Sequence, residues 1–512
     1  MIERAIENWL INTNERNYQV PFCQVLISQG HEILYISPHG ALEFGKDIIS
    51  IDKDANIHAY QLKTGNISLS VWDTIHREVM QDLVNTACDH PNIDKKKPHI
   101  SHLVTNGNID DNVFQRIDKV NQTTTNFSKL ETINKDQLLK YFIEAQGGFI
   151  PKSFEEFQEF LSFFQLKGNE FFPKKKFFMF FKNQVLQTAK QKSNVLNGIF
   201  ASVILTSYLL KNFQEKKNHF AQFEAWTVLY FTLAGFIEEE KQSDKKVDKT
   251  LKLIKETILE ILNELCKEFV NKDNLLEGAP FGDGDLVYRA RVTIVLGLIC
   301  CNKYYYNTNS DEVIQKKVVE NLKYVWFWGE SSFPYVLSII KYLEKKELFD
   351  SSSPIINTVL EGILNHNGFR NKEQAFPNPY YDINTIFESV FCNKPIDYKQ
   401  FKASSYILNP LIEIIARRNL KPLLEKNWRK LSHIQINKFI ADKDYELFYY
   451  WNKKGINYSN FSQQMQSWKE LQNVSKTKIS NHLLEKYRGE LPLFLLVYPH
   501  RISEDIIKYI DF

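Results

Sequence analysis

Three side chains early in the chain could meet around a phosphate: Asp47, Gln61 and Lys63. Asp47 heads the apolar run Ile48-Ile49-Ser50-Ile51, and Gln61-Leu62-Lys63 closes the next run, with polar Lys53-Asp54-Ala55-Asn56 between them. Side chains alternate along a strand, so Gln61 and Lys63 share one face, and Asp47 can meet them across a hairpin. Carboxylate and side-chain amide oxygens are hard ligands suited to Mg²⁺ or Mn²⁺. A lysine beside such an ion can orient an attacking water or offset charge growing on a phosphate. These are the parts that phosphodiester hydrolysis requires.

The flanking sequence supplies elements to position them. Residues 1–11 and about 17–29 have helical spacing, and Gly30 ends the second helix. The period then switches to two. Strands are expected at 31–37, 47–52 and 57–63, with Lys53–Asn56 closing a hairpin. Residues 70–87 return to helical spacing through Val71, Ile75, Val79 and Leu83. A strand at 99–104 ends in the turn Thr105-Asn106-Gly107, a helix follows through Val113, Ile117 and Val120, and Leu130–Ile133 is a short strand. Asn134 then caps a further helix. Helix, three strands, helix, strand is an α/β layout with a mixed sheet.

On these residues and this order, the stretch from about 15 to 145 resembles the PD-(D/E)xK, restriction-endonuclease-like superfamily, and most of all its Mrr-type branch, whose final element is often Gln-x-Lys. The resemblance implies an αβββαβ domain in which Asp47 and Gln61 hold Mg²⁺, or alternatively Mn²⁺, while Lys63 assists the nucleophile. It implies a metal-dependent endonuclease acting on DNA and, by likeness to such domains, an effector of bacterial anti-phage defence with partner proteins or further copies of itself. The sequence departs from the pattern at two places. Lys46, not proline, precedes Asp47. Where Mrr-like enzymes often carry a helix glutamate stands Gln19, and the nearest acids are Glu7, Glu15 and the loop residue Glu43. Gln19 and Glu43 are therefore further candidate site residues. Gln19 also favours the alternative of an inactive nuclease fold that binds nucleic acid or serves as a scaffold.

Rival signals are weaker. Gly40–Lys46 matches the first seven positions of a P-loop, but Asp47 stands where Ser or Thr must hold Mg²⁺, and a strand follows where a helix must open. Cys88, His90, His99 and His102 have no zinc-site spacing. Gly282-Asp283-Gly284-Asp285 lacks the other ligands of a calcium loop. Lys174, Lys175 and Lys176, followed by Phe177 and Phe178, could track a phosphate backbone while bases stack; the competing reading is buried phenylalanines with snorkelling lysines.

The remainder reads as a large all-α region. Gly147-Gly148 and the charged run 238–249 suggest domains at 1–148, 149–240 and 241–512, the last a sensor, oligomerisation or partner-binding region. Leu251, Ile254, Ile258, Ile261, Leu265 and Phe269 mark one strongly amphipathic helix. No fixed repeat names a solenoid. With 43% hydrophobic and 24% charged residues the 512-residue chain is globular, and its net charge of +3 restricts any nucleic-acid surface to a local patch. Six scattered cysteines, a charged amphipathic start and apolar runs shorter than a bilayer lead to the expectation of a cytoplasmic protein without membrane contact.

Overall fold

The change of period at Gly30 is where the sheet begins. Gly30 takes φ 101°, and its N–H bonds Ile27 O at 2.9 Å, a left-handed cap that ends the helix before it. The computed structural model describes residues 2–37, 45–94, 96–123, 128–146, 154–192, 194–271, 286–307, 311–367, 377–392, 394, 403–451, 458–461, 467–477 and 480–511. The chain divides into two compact units, Met1–Glu260 and Ile261–Phe512.

The first unit opens with α1 (Ile2–Ile11), α2 (Glu15–Gln29), β1 (Glu32–Ile36), β2 (Ile48–Ile51) and β3 (Ile57–Lys63). Next, α3 (Leu69–Val71) runs through a π-helical turn at Trp72–His76 into α4 (Arg77–Asn85). Then come β4 (His99–Thr105), α5 (Asp111–Thr123), β5 (Ser128–Ile133) and α6 (Lys135–Gln146). The strands lie side by side in chain order; β1, β2 and β3 are antiparallel, whereas β3, β4 and β5 are parallel. This is the mixed sheet expected from the spacing. The β2–β3 turn is closed by Asp52, whose Oδ1 accepts the N–H groups of Asp54 at 2.9 Å and Asn56 at 2.8 Å.

Register decides which side chains share a face. Ala59 lies beside Ser101 and Gln61 beside Leu103, so Ile57, Ala59, Gln61 and Leu103 project together. That face is covered by Trp72, Met80 and Leu83 from the α3–α4 stretch and by Val113 and Ile117 from α5, which form one core with Ile49, Ile57, Ala59, Leu103 and Leu130. The opposite face carries Tyr60 and His102 beneath α2, where the Phe22 ring meets Tyr60 edge-on at 5.4 Å.

Seven helices complete this part of the chain: α7 (Phe154–Phe164), α8 (Lys174–Phe180), α9 (Gln187–Gln191), α10 (Val195–Leu209), α11 (Lys211–Glu215), α12 (His219–Glu240) and α13 (Lys245–Asn271). The α10 helix packs on α2 and α6. Trp9, Phe142 and Tyr208 knot α1, α6 and α10 together, with Trp9 and Tyr208 rings 4.3 Å apart. The sheet and these helices therefore share one core. Gly147-Gly148 lies outside the described residues. The charged run 238–249 spans the end of α12, a four-residue turn and the start of α13, with Lys246 Nζ and Lys249 Nζ bonded to Ser28 O at 2.6 Å and His31 O at 3.3 Å. By length and composition α12 could cross a membrane, yet Ala221–Ile237 is buried inside the unit. The division between units falls within α13.

The second unit is mostly helical, with Val292, Leu296, Ile299 and Cys300 of helix Leu286–Cys301 packed on Ile339, Tyr342 and Leu343 of helix Phe333–Lys345. It also holds a small sheet of β6 (Ser404–Ser405), β7 (Gln435–Phe439) and β8 (Tyr458–Phe461), which adds strands to a region expected to be all-α. Strands of two to five residues leave too little alternation to be seen in the sequence.

Candidate active site

Asp47 is placed by its backbone before its side chain does anything. Its N–H bonds Tyr60 O at 2.8 Å, and its carbonyl accepts the N–H of Ser37 at 2.7 Å, extending the sheet one residue beyond β2. With Ile48 opposite Tyr60, this pairing sets Asp47 opposite Gln61. Their side chains touch. Asp47 Oδ2 accepts Gln61 Nε2 at 2.7 Å and the backbone N–H of Leu62 at 2.6 Å. Both residues are buried, and Gln61 Oε1 has no hydrogen-bond partner among the described residues. A buried amide oxygen left without a donor costs about 1–3 kcal/mol, so Gln61 Oε1 is open to a further donor or ion.

Lys63 lies two residues on, on the same face of β3, and is half-buried. Its side chain makes no hydrogen bond or ion pair among the described residues. Its backbone is held instead: Tyr18 Oη donates to Lys63 O at 2.7 Å from beneath the sheet. Tyr18 is fully buried, and burial, then the nearby Glu15 and Asp47 carboxylates, push its hydroxyl pKa well up, so it stays a neutral donor. Glu15 Oε1 accepts the N–H of Thr64 at 3.1 Å, and Asn14, Glu15, Arg16 and Thr64 line an open cleft of about 410 Å³. Glu15, at the first turn of α2, is thus held at the end of β3.

Gln19 takes a different part from the one expected. Its Nε2 donates to Asp47 O at 3.3 Å and Ser37 O at 3.4 Å, so it secures the backbone of the site and offers no ligand to the Asp47 side chain. Glu43 lies outside the described residues, as does most of the P-loop-like stretch; the strand expected after it is β2. Lys46 is buried at 3% exposure, and its Nζ reaches Asp82 O on α4 at 3.4 Å. Burial lowers its pKa.

Thr105-Asn106-Gly107 ties these pieces down. Asn106 Nδ2 donates to Leu10 O at 2.7 Å and Thr13 O at 2.8 Å, and its Oδ1 accepts Gly65 N–H at 2.7 Å. Thr105 Oγ1 donates to Gly65 O at 2.6 Å. The loop leaving Lys63 and the joint between α1 and α2 are therefore fastened to one asparagine. A sequence reading sees a turn there and cannot see its partners, which are about 40 and 95 residues away.

The metal question can be put to the donors. Asp47 carboxylate and Gln61 Oε1 suit a hard ion such as Mg²⁺, which binds through one or two protein oxygens and otherwise keeps water and substrate phosphate. Among the described residues no three His, Cys, Asp or Glu side chains form a metal-holding group. His99 and His102 sit on opposite faces of β4, with His99 Nε2 on Leu83 O at 2.9 Å, so the cysteine–histidine set does not converge.

The basic cluster is spent on packing. Lys174 Nζ forms an ion pair with buried Glu224 at 2.5 Å, and Lys176 Nζ meets Ser162 Oγ at 2.5 Å and lies over the Phe163 ring. Phe177, Phe178, Phe180 and Phe181 are all buried and cannot stack bases. This withdraws Lys174 from phosphate binding and leaves Lys175 and Lys176 as exposed lysines without the aromatic platform.

No family model, curated protein or solved structure matches this chain.

Proposed function

We propose that Asp47, Gln61 and Lys63 form the centre of a metal-dependent DNA endonuclease built on a restriction-endonuclease-like N-terminal domain. The single observation that carries this reading is the contact of Asp47 with Gln61 across paired strands, with an orphaned Gln61 oxygen beside it. Asp47 and Gln61 would hold Mg²⁺ or Mn²⁺, which when bound polarises a phosphate ester and lowers the pKa of water. Lys63, whose side chain has no partner among the described residues, would offset the negative charge that grows on the phosphate. Tyr18 holds the Lys63 backbone and Gln19 that of Asp47, so both groups meet substrate already positioned. Glu15 brings a second carboxylate to the end of β3. The large helical part would keep such an activity off until needed, as suits an effector of anti-phage defence; this step rests on analogy of architecture.

One observation favours a second reading. Asp47 Oδ2 already accepts two hydrogen bonds, as a purely structural carboxylate would, and an inactive nuclease fold that binds nucleic acid would keep such a contact. Plasmid incubated with Mg²⁺ or Mn²⁺ and either the protein or Lys63→Ala separates the two. Cleavage by the unaltered protein, reduced on the order of a hundredfold or more in Lys63→Ala, supports the enzyme. Absence of cleavage with either ion, while DNA is still bound at low salt, sinks it in favour of the second reading.

A further inference from the structure

Helices Leu408–Arg417, Trp468–Lys476 and Glu504–Asp511 of the second unit enclose a cavity of about 200 Å³. A water's share of liquid volume is about 30 Å³, so this space corresponds to six or seven waters or one small organic molecule. Its two sides differ. Ile412, Ala416, Leu471 and Val474 make one wall apolar, and Glu413, Glu504, Asp505 and Lys508 make the other charged.

The acids on that wall are unequally satisfied. Glu504 is satisfied by Lys438 Nζ at 2.8 Å, and Lys508 Nζ by Glu413 Oε1 at 3.3 Å. Two acceptors are left over. Glu413 is 6% exposed, yet its Oε2 has no hydrogen bond, the nearest cation being Arg417 Nη2 at 3.9 Å. Asp505 makes no hydrogen bond or ion pair among the described residues. Burial, and for Asp505 the adjacent Glu504, raise the pKa of both acids, to about 7 for Glu413. Glu413 Oε2 and the Asp505 carboxylate thus have no hydrogen-bond donor among the described residues. The acids do not form a metal-holding group, and an apolar wall has nothing to offer a bare ion.

We propose that this cavity binds a small aliphatic ammonium or guanidinium compound, its cationic head on Glu413 and Asp505 and its stem along Ile412, Ala416, Leu471 and Val474. A charged head-group donor meets both orphaned acceptors with charge-assisted hydrogen bonds, and three or four methylenes fill the remaining space. The volume excludes larger ligands, which need about 300 Å³ or more. The site is independent of the nuclease reading.

Calorimetric titration of the full chain with agmatine and n-butylamine tests this, with n-butanol as the neutral control. Both amines are expected to bind saturably, one per chain, and Asp505→Asn to weaken them at least fivefold at an unchanged melting temperature. Glu413→Gln is expected to act likewise, but it leaves Lys508 without its acid; Asp505→Asn, half-exposed, is the safer variant. No saturable binding of either amine at millimolar concentration overturns the proposal. So does a loss below fivefold in Asp505→Asn, or butanol binding as tightly as butylamine.

Discussion

At the scale of single residues, the informative atom is the Gln61 amide. Its nitrogen donates to Asp47 while its oxygen remains unsatisfied among the described residues, so an ion entering here gains the oxygen but must compete with the nitrogen. Gln61→Glu separates the two roles. It sets two carboxylates in contact, and like charges this close cannot both ionise without cost. In EDTA at neutral pH the variant is expected to lose about 1–3 kcal/mol of stability, by removal of a buried charge-assisted hydrogen bond. Millimolar Mg²⁺ is expected to raise its melting temperature more than that of the unaltered protein, since an ion bound only by the folded state stabilises by mass action. A melting temperature that Mg²⁺ leaves unmoved in both proteins shows that these oxygens do not form an ion site. The contact of Asp47 with Gln61 was legible because alternation on neighbouring strands is local and strict. Tyr18 and Glu15 were not, because their partners are the backbones of Lys63 and Thr64, more than 40 residues away. Gln19 was read by its place in a pattern; its amide nitrogen in fact serves backbone carbonyls.

At the scale of elements, the order of strands and helices in the first third followed from period and punctuation, down to the Asn134 cap, whose Oδ1 accepts Gln137 N–H at 3.1 Å. Long-range fastening was hidden. Asn106 is the clearest case, since no periodicity marks a side chain that bonds three separate backbones. Asn106→Ala removes all three bonds and leaves buried groups unpaired; a loss of about 2–4 kcal/mol is expected, read by denaturant unfolding, with β3 and its Lys63 end the first to lose hydrogen-exchange protection. Loss below about 1 kcal/mol contradicts this role. The second unit offers a steric counterpart. A Cβ on Gly297 would stand 2.6 Å from Tyr335 Cβ and 2.8 Å from its Cα, where helices Leu286–Cys301 and Phe333–Lys345 meet. Gly297→Ala gains helix propensity but must push those helices apart, and a net loss of about 1–3 kcal/mol is expected. Cys300 and Cys301, at the end of helix Leu286–Cys301, are both buried, and burial raises both thiol pKa values.

For the molecule as a whole, the face of the sheet turned away from the candidate site predicts how stability follows pH. Beneath α2, His58 Nδ1 meets His102 Nε2 at 3.0 Å, His58 Nε2 meets Asp52 Oδ2 at 3.0 Å, and the His31 ring lies 5.0 Å from His58. Tyr60 stacks on His102, Glu131 stands 3.7 Å from it, and Lys53 and Lys249 act on His31. Burial, then the neighbouring histidines, depress the folded-state pKa of His102 to about 3; burial, then His58, depress that of His31 to about 4. Unfolded histidines titrate near 6.5. Between pH 6.5 and 4 the unfolded chain therefore binds protons that the folded chain refuses, so stability is fully present above pH 6.5 and falls as pH drops. Buried His102 alone contributes a slope approaching about 1.4 kcal/mol per pH unit in that window. Asp52 adds to the trend at lower pH. Burial opposes its ionisation, but hydrogen bonds from Asn56 and His58 outweigh burial and hold its pKa below the usual carboxylate range, so its contribution is lost as pH falls below about 4. His102→Asn, uncharged at every pH, is expected to flatten the acid limb of the stability curve measured by urea unfolding from pH 7 to 4.5. Because the two compact units need not unfold together, the transition should be followed by probes within Met1–Glu260. An acid limb of equal steepness in His102→Asn shows that this histidine is not what acid attacks.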